Sequence, residues 1–479
     1  MLPRVPRVQI GKSRSAGSLS MNVQATQMTK APNIILILTD QLRRDGLGNH
    51  TPNLMRLAAE GVRFANAYCV APLCQPARTS LITGLYPSFT GICGNQSEPI
   101  QPELRDDTFM RHLQRAGYYT ALIGKHHYID RYGIGMDVTE DDEEIRCYGF
   151  DHVFQVVDDG ENEHNDDEYT RYLRSKGLLE AFREALRNES SACQPHPFEP
   201  DDTVDGFIGL HGVRFVEQYT REQPFYLNLS FIGPHPPYWH PGYLTISLQD
   251  VPAPIGAADD PAVRERRAHY LQRVALIDGY VGRLMEALSR RAMLDSTVII
   301  FTSDHGDMLG DFGHWDKRFM YEPSIGVPLI LWGVGIPHGE RHNGPRVSKI
   351  LASHLDLYPT VLRLAGIEPP RDRRRPGRDL SSILRGDTAP HDAVYGELAT
   401  TAMIRTGNWK LVFDPDQGGV QYLFNLAVDP KEQQNLAGVA GYEHVTMDLL
   451  AQLLGHRMRL SQFTHVKEEQ RSVTRVRVG

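Results

Sequence analysis

The sequence predicts an α/β protein. Its main body is a large, mostly parallel sheet sandwiched by helices, and a smaller antiparallel-sheet subdomain follows at the C-terminal end. Three observations predict this. Short apolar or β-branched runs, such as residues 34–38 and 297–302, alternate with segments of helical length. Those runs show no polar alternation, which suits strands buried on both faces. Beyond the basic, proline-containing stretch 371–378, the helical spacers give way to short strand-like runs set close together.

The elements follow in order. Residues 34–38 form the first strand and end in Thr39-Asp40-Gln41. Thr51-Pro52 opens a helix that runs to Glu60 and stops at Gly61. Residues 62–68 read as a second strand, and Asp107 or Thr108 caps a helix that ends near Gly117. Residues 119–123 are the next strand, running into Gly124-Lys125-His126-His127. A helix over 204–219 precedes the strand 225–231, which ends in Gly233-Pro234-His235-Pro236-Pro237. A long helix over about 262–294 leads to the strand 297–302, which ends in Ser303-Asp304-His305-Gly306. One further strand at 328–332 and a helix at 355–365 complete this region. Short strands at 393–397, 403–413 and 422–426 and a helix near 445–454 make the second sheet. In parallel sheets chemistry collects beyond the C-terminal strand ends, and every polar cluster named above falls there.

Residues 137–168 break this rhythm. They hold 14 acids and a single basic side chain from Lys or Arg, Arg146. Such a block is expected to be a solvated loop, the start of an insertion over 137–200. Its sign at a pocket rim would repel polyanions and tolerate small neutral or cationic alcohols. The domain expectation is a leader at 1–30, a large domain at 31–370 and a C-terminal subdomain at 371–479.

With 479 residues, 41% hydrophobic and 23% charged, the chain can bury a large core. A net charge of −8 argues against nucleic acid as the main partner. The five cysteines (Cys69, Cys74, Cys93, Cys147 and Cys193) are odd in number and widely spread, unlike a disulfide framework. No apolar run reaches the length of a membrane span. The first 30 residues carry Arg4, Arg7, Lys12, Arg14 and Lys30, no acid and no apolar central block. That is not the form of a secretory signal. The expectation is a disordered leader, with Met21 or Met28 as other starts, and a cytoplasmic location. Assembly into a homo-oligomer is compatible with the sequence.

The stretch that organises the chain is 73–84, Leu-Cys-Gln-Pro-Ala-Arg-Thr-Ser-Leu-Ile-Thr-Gly. Pro76 fits a first helical turn and Gly84 a helix end. Cys74 then sits at a helix N-terminus, where free N–H groups favour negative charge, and Arg78 lies one turn on. Asp40, Asp304 and His305 follow two different strands. Their oxygens suit Ca²⁺, Mg²⁺ or Mn²⁺, the imidazole shifts the balance towards Mn²⁺, and Gln41 can add a neutral oxygen.

Cys-x-Pro-x-Arg followed by Thr-Gly resembles the signature of the type I, formylglycine-dependent sulfatases of the alkaline-phosphatase superfamily. The resemblance covers roughly residues 32–436. Thr39-Asp40-Gln41 is similar to the family's first metal turn and Thr302-Ser303-Asp304-His305-Gly306 to its second. Gly124-Lys125-His126-His127 matches Gly-Lys-x-His, with Lys125 and His127 as the functional pair. Pro234-His235-Pro236 matches a further active-site His, and Lys317 a sulfate-contacting Lys. Leu423-Phe424-Asn425-Leu426 through Asn435-Leu436 resembles the family's C-terminal signature. Two positions depart from the common pattern. Gln41 stands where many members have an acid, and His305 where many have Asn. Both variants also occur in the phosphonate monoester hydrolases of the superfamily and in some true sulfatases.

The resemblance implies an alkaline-phosphatase-like fold and a sulfatase that hydrolyses a small-molecule sulfuric ester to alcohol and sulfate. The alternative is a phosphonate monoester or phosphodiester hydrolase with the same site. It implies that a formylglycine-generating enzyme converts Cys74 to formylglycine, whose hydrate is the nucleophile. One divalent ion is expected on Asp40, Gln41, Cys74, Asp304 and His305, Ca²⁺ first and Mn²⁺ second. Lys125, Lys317 and Arg78 are expected to offset the ester's charge. His235 or Lys317 would protonate the leaving oxygen, and His127 would take a proton when sulfate is expelled. His126 is expected to pack, His314 to line the pocket, Asn95 to point at the ester, and Cys69 and Cys93 to be buried small residues.

Overall fold

The computed structural model describes residues 31–96, 98–130, 133–188, 195–196, 198–242, 244–336 and 346–476. The expected leader at 1–30 and Cys193 lie outside the described residues. Eight strands form the main sheet: β1 (Asn33–Asp40), β2 (Val62–Tyr68), β3 (Tyr119–Gly124), β4 (His152–Gln155), β5 (Phe225–Pro234), β6 (Thr297–Ser303), β7 (Leu329–Gly333) and β8 (Arg346–Ser353). Their spatial order is β8-β2-β7-β6-β1-β5-β3-β4. All neighbours run parallel except β7, which is antiparallel to both β2 and β6.

The central strands are buried on both faces because both faces carry apolar side chains. In β1, Ile34, Leu36 and Leu38 enter one core, and Ile35 and Ile37 enter the other. The first core is closed by α2 (Cys74–Thr83), α3 (Phe109–Arg115) and α7 (Leu357–Leu364). The second is closed by α1 (Pro52–Glu60), α5 (Val204–Gln218) and α6 (Pro261–Arg290). Local chemistry fixes the ends. Thr108 caps α3 by accepting from Arg111 N, and Asp260 caps α6 by accepting from Ala262 N. Gly84, at φ 68°, closes α2 in the left-handed region. No described helix is long and apolar enough to cross a membrane.

The acidic block differs from the expected solvated loop. It contains β4, which pairs in parallel with β3 at the sheet edge. Some of its acids are matched by arginines from α4 (Glu168–Lys176) and just beyond it. Arg171 pairs with Asp137 at 2.5 Å, and Arg174 and Arg183 pair with Asp166 at 2.7 and 2.8 Å. Asp167 caps α4 in a reciprocal pairing with Thr170. Part of the charge that looks unpaired in sequence is paired through space.

The C-terminal sheet has four antiparallel strands in sequential order: β9 (Ala393–Leu398), β10 (Thr401–Thr406), β11 (Trp409–Asp414) and β12 (Gly419–Asn425). The single strand expected over 403–413 is a hairpin that turns at Gly407-Asn408. The helix expected near 445–454 is α8 (Glu443–Val476), whose Leu449 and Leu453 pack on Ile404, Leu411 and Leu423. The two sheets meet at a buried polar cluster. Lys410 on β11 pairs with Glu432 and, at 3.1 Å, with Glu322, and Arg405 on β10 donates to Tyr68 Oη at 3.0 Å.

Candidate active site

Four neighbouring parallel strands deliver polar groups to one end of the sheet. Asp40 ends β1, and Asp304 and His305 follow β6. Lys125 and His127 follow β3, and His235 follows β5. Cys74 is the first residue of α2, a helix buried along its whole length. The sequence-predicted residues Asp40, Cys74, Arg78, Lys125, Asp304, His305 and Lys317 converge there.

Cys74 Sγ lies 3.2 Å from His305 Nε2, 3.1 Å from Lys317 Nζ and 3.8 Å from Asp40 Oδ1. His305 Nε2 is 3.6 Å from Asp304 Oδ1, while its Nδ1 meets Gly306 O at 2.9 Å. That second contact aims Nε2 into the site. Asp304 Oδ1 also accepts from the backbone N–H groups of Gln41 and His305 at 3.0 and 2.8 Å. Lys125 Nζ contacts Asp40 Oδ2 at 2.7 Å and Asp158 Oδ1 at 2.6 Å.

Arg78 stands behind the carboxylates. Its Nε donates to Asp304 Oδ2 at 2.8 Å and its Nη2 to Asp40 Oδ2 at 3.1 Å. Nη1 is taken by Lys125 O and Ser230 Oγ. The guanidinium therefore orients both acids. Arg78→Lys is expected to keep the charge, lose the fork and lower divalent-ion affinity about 10- to 100-fold, read by calorimetric titration.

Burial and Asp40 push the Cys74 thiol up, but Lys317, Lys125 and His305 outweigh them and hold it well below the usual thiol range. Burial and Asp40 raise the carboxyl of Asp304. Burial opposes charge on His305, yet Asp304 and Cys74 push it up to about 9. Positive charge is thus drawn to the point where the negative donors meet. The ligating atoms of Asp40, Cys74, Asp304 and His305 all lie within 4.8 Å of one another, and all four residues are buried. Two hard oxygens, one imidazole and residue 74 fit a divalent ion with bonds of about 2.0–2.6 Å.

Gln41 is placed beside this group. Its Nε2 donates to Asp307 at 2.6 Å and to Asp316 at 3.0 Å, and its Oε1 accepts from Lys317 Nζ at 3.1 Å. Its amide thus aims Lys317 at Cys74, with its Oε1 at the edge of the donor group. His127 is buried, with both ring nitrogens free of a hydrogen bond among the described residues, and its Nε2 is 3.5 Å from Asp130. Burial and Lys125 oppose its protonation, but Asp130 and Cys74 raise it. Burial and Lys317 lower His235.

Of the lesser expectations, His126 packs, bonded to Gln155 Oε1 at 2.9 Å. His314 stacks on Phe319 with centroids 4.4 Å apart. Asn95 Oδ1 accepts from Gln75 N at the start of α2, so it serves the helix terminus. Cys69 is buried but Cys93 is exposed, in the loop after the short helix Pro87–Thr90, and the four described cysteines are free.

Sequence reasoning missed Asp158, Asp307 and Ser230. Asp158 lay hidden in the acidic block. Asp307 follows His305 by two residues and was the more findable. Gln41, His127, Asp316 and Arg318 have φ of 67°, 50°, 68° and 82°. Such left-handed backbone at non-glycine residues is held only where the surroundings demand it, and it gathers here.

The "Sulfatase" family model matches residues 32–367, and "N-sulphoglucosamine sulphohydrolase, C-terminal" matches 310–459. A choline-sulfatase of Rhizobium meliloti is 33% identical over 456 residues, covering 85% of this chain and 83% of its own. An arylsulfatase of Clostridium perfringens is 28% identical, covering 88% of this chain and 93% of its own. Among solved structures, a phosphonate monoester hydrolase of Agrobacterium radiobacter superposes with TM-score 0.74 at 24% identity, covering 90% of this chain and 96% of its own. That likeness shows the fold, of the alkaline-phosphatase type.

Proposed function

The chain belongs to the sulfatase family and is a sulfuric-ester hydrolase; from that premise we propose that it cleaves the sulfate ester of a small alcohol, with residue 74, converted from Cys to formylglycine by a formylglycine-generating enzyme, as nucleophile. One observation carries the reading: Cys74 sits at a buried helix start, 3.1 Å from Lys317 and within the donor group of Asp40, Asp304 and His305.

Asp40, Asp304, His305 and residue 74 would hold one divalent ion, Ca²⁺ first and Mn²⁺ second. When bound, it supplies positive charge that acidifies a nearby hydroxyl and offsets charge on the ester oxygens. Formylglycine supplies a hydrated aldehyde, whose second hydroxyl allows sulfate to be expelled without water attacking sulfur. The chain's own residues do the rest. Lys125 and Lys317 hold the non-bridging oxygens. His127, buried and with its Nε2 3.5 Å from Asp130, accepts a proton during sulfate release. His235 or Lys317 gives one to the leaving oxygen. Arg78 keeps Asp40 and Asp304 in register.

The likeness to a choline-sulfatase and the acids near the site support a cationic alcohol. Asp130 neighbours His127 and Asp158 neighbours Lys125. A second reading, phosphonate monoester or phosphodiester hydrolysis, is kept open by Gln41 and His305, variants that the resemblance finds in phosphonate monoester hydrolases and in some true sulfatases alike. The test is a kcat/KM panel of choline sulfate, 4-nitrophenyl sulfate and a phenyl phosphonate monoester, with mass spectrometry of the Cys74 peptide. Sulfate esters are expected to exceed the phosphonate, choline sulfate to lead, and the active protein to carry an aldehyde at residue 74. Phosphonate preference would move the assignment to the second reading, and activity with only unmodified Cys74 would end the formylglycine mechanism.

A further inference from the structure

Arg273, in the middle of α6, contacts none of the groups discussed above as reacting, yet its side chain is only 2% exposed and reaches two loops of the site. Its Nη1 donates to the carbonyls of His235 and Pro237 at 2.8 and 2.5 Å. Its Nε donates to Asp205 Oδ2 at 2.7 Å and its Nη2 to Asp159 Oδ2 at 3.0 Å. Asp205 Oδ1 in turn accepts from Gly233 N at 2.8 Å. The backbone is therefore gripped on both sides of His235. Asp159 is the neighbour of Asp158, whose carboxylate holds Lys125 at 2.6 Å.

The space is made for this arrangement. A Cβ on Gly233 would lie 2.5 Å from Asp205 Oδ2 and 2.6 Å from Arg273 Nε. One buried guanidinium with two buried carboxylates is a poor source of stability, because desolvation cancels most of the attraction. What the fork supplies is direction: its donors lie in one plane at fixed angles, which a lysine cannot reproduce.

We propose that Arg273 is a positioning residue, setting His235 through the carbonyls at 235 and 237, with Asp205 and Asp159 holding the guanidinium in place. The proposal rests on the reading of His235 as a proton donor to the leaving oxygen. A leaving group that needs a proton should then feel the loss of Arg273, and one that leaves as a stable anion should not.

Arg273→Lys, prepared as matured, metal-loaded enzyme, is compared with wild type on an alkyl sulfate and on 4-nitrophenyl sulfate. The alkyl sulfate kcat is expected to fall about 10- to 100-fold, with KM changed less than about twofold. The 4-nitrophenyl sulfate kcat should fall less than about fivefold. His235→Ala should give the same pattern, and the double variant should lose no more than His235→Ala alone. Asp159→Asn, which keeps the side-chain shape and removes one arm, reads the same ratio should Arg273→Lys not fold. Equal losses on both esters, or additive losses in the double variant, would overturn the positioning role. Wild-type enzyme inactive on both sulfate esters would instead overturn the functional reading on which it rests.

Discussion

Turnover is expected to disappear when Cys74 is replaced by Ala, with kcat falling on the order of 10⁴-fold or more, as for other covalent nucleophiles. The site explains the size of the effect. Lys317, His305 and Asp40 all converge within 3.8 Å of this one sulfur position, so the remaining groups have nothing to act through. The fold should survive, since a buried Sγ is a small volume to lose, costing about 1 kcal/mol. Cys74→Ser is the sharper variant. A serine has one hydroxyl and no second group to push sulfate out, so the sulfate ester of the introduced serine should accumulate after a single turnover. Sulfate release, a chemical melt and intact mass together check this. More than a few per cent of wild-type kcat in Cys74→Ala would mean the nucleophile lies elsewhere.

Asp304→Ala should be nearly as severe and should also weaken the fold. It removes an oxygen from the donor group, the Nε partner of Arg78, and the acceptor of two backbone N–H groups. Arg78 is 1% exposed, so its charge is left buried and half compensated. Breaking such a pair costs about 3–5 kcal/mol. The expected result is metal content at background, kcat/KM lower by on the order of 10³-fold or more, and a clearly reduced urea midpoint. Asp304→Asn should recover only part of the stability, because its NH₂ must face a donor and Arg78 stays half compensated, and little of the metal or activity. Full metal occupancy with retained activity in Asp304→Ala would remove Asp304 from the donor group.

The strand ends are legible in the sequence because two signals coincide there: an apolar run stops, and charged residues begin. Those signals alone put Asp40, Lys125, His235, Asp304 and His305 at one end of the sheet. Lys317 follows no strand and was reached by resemblance. Arg273, Asp205 and Asp159 were not legible. Each is an ordinary charged residue in its own segment, and they meet only because β5, α5 and α6 pack together. The acidic block misled for the same reason, since Arg171, Arg174 and Arg183 lie outside it in sequence. β8 was missed because its pairing with β2 is set by the sheet and its own residues, Arg-Val-Ser-Lys-Ile, carry a weak apolar signal. Gln41 could be placed in the site, but the direction of its amide depends on Asp307 and Asp316, more than 260 residues away.

The enclosure of α2 has a consequence for how the protein is made. Cys74 is 1% exposed and every residue of its helix is buried. An enzyme that oxidises this cysteine has to seat the peptide around it, so conversion must come before the sheet closes. Closure waits for β6, which supplies Asp304 and pairs with β1. Roughly 230 residues separate Cys74 from the end of β6, and a ribosome adding about 5–20 residues per second needs about 10–50 s to make them. On the proposed maturation of residue 74, oxidation would compete with chain completion. If residue 74 is matured as proposed, the active fraction of a preparation would depend on how fast the chain was synthesised relative to the supply of converting enzyme, and a molecule that folded with its thiol intact would stay that way.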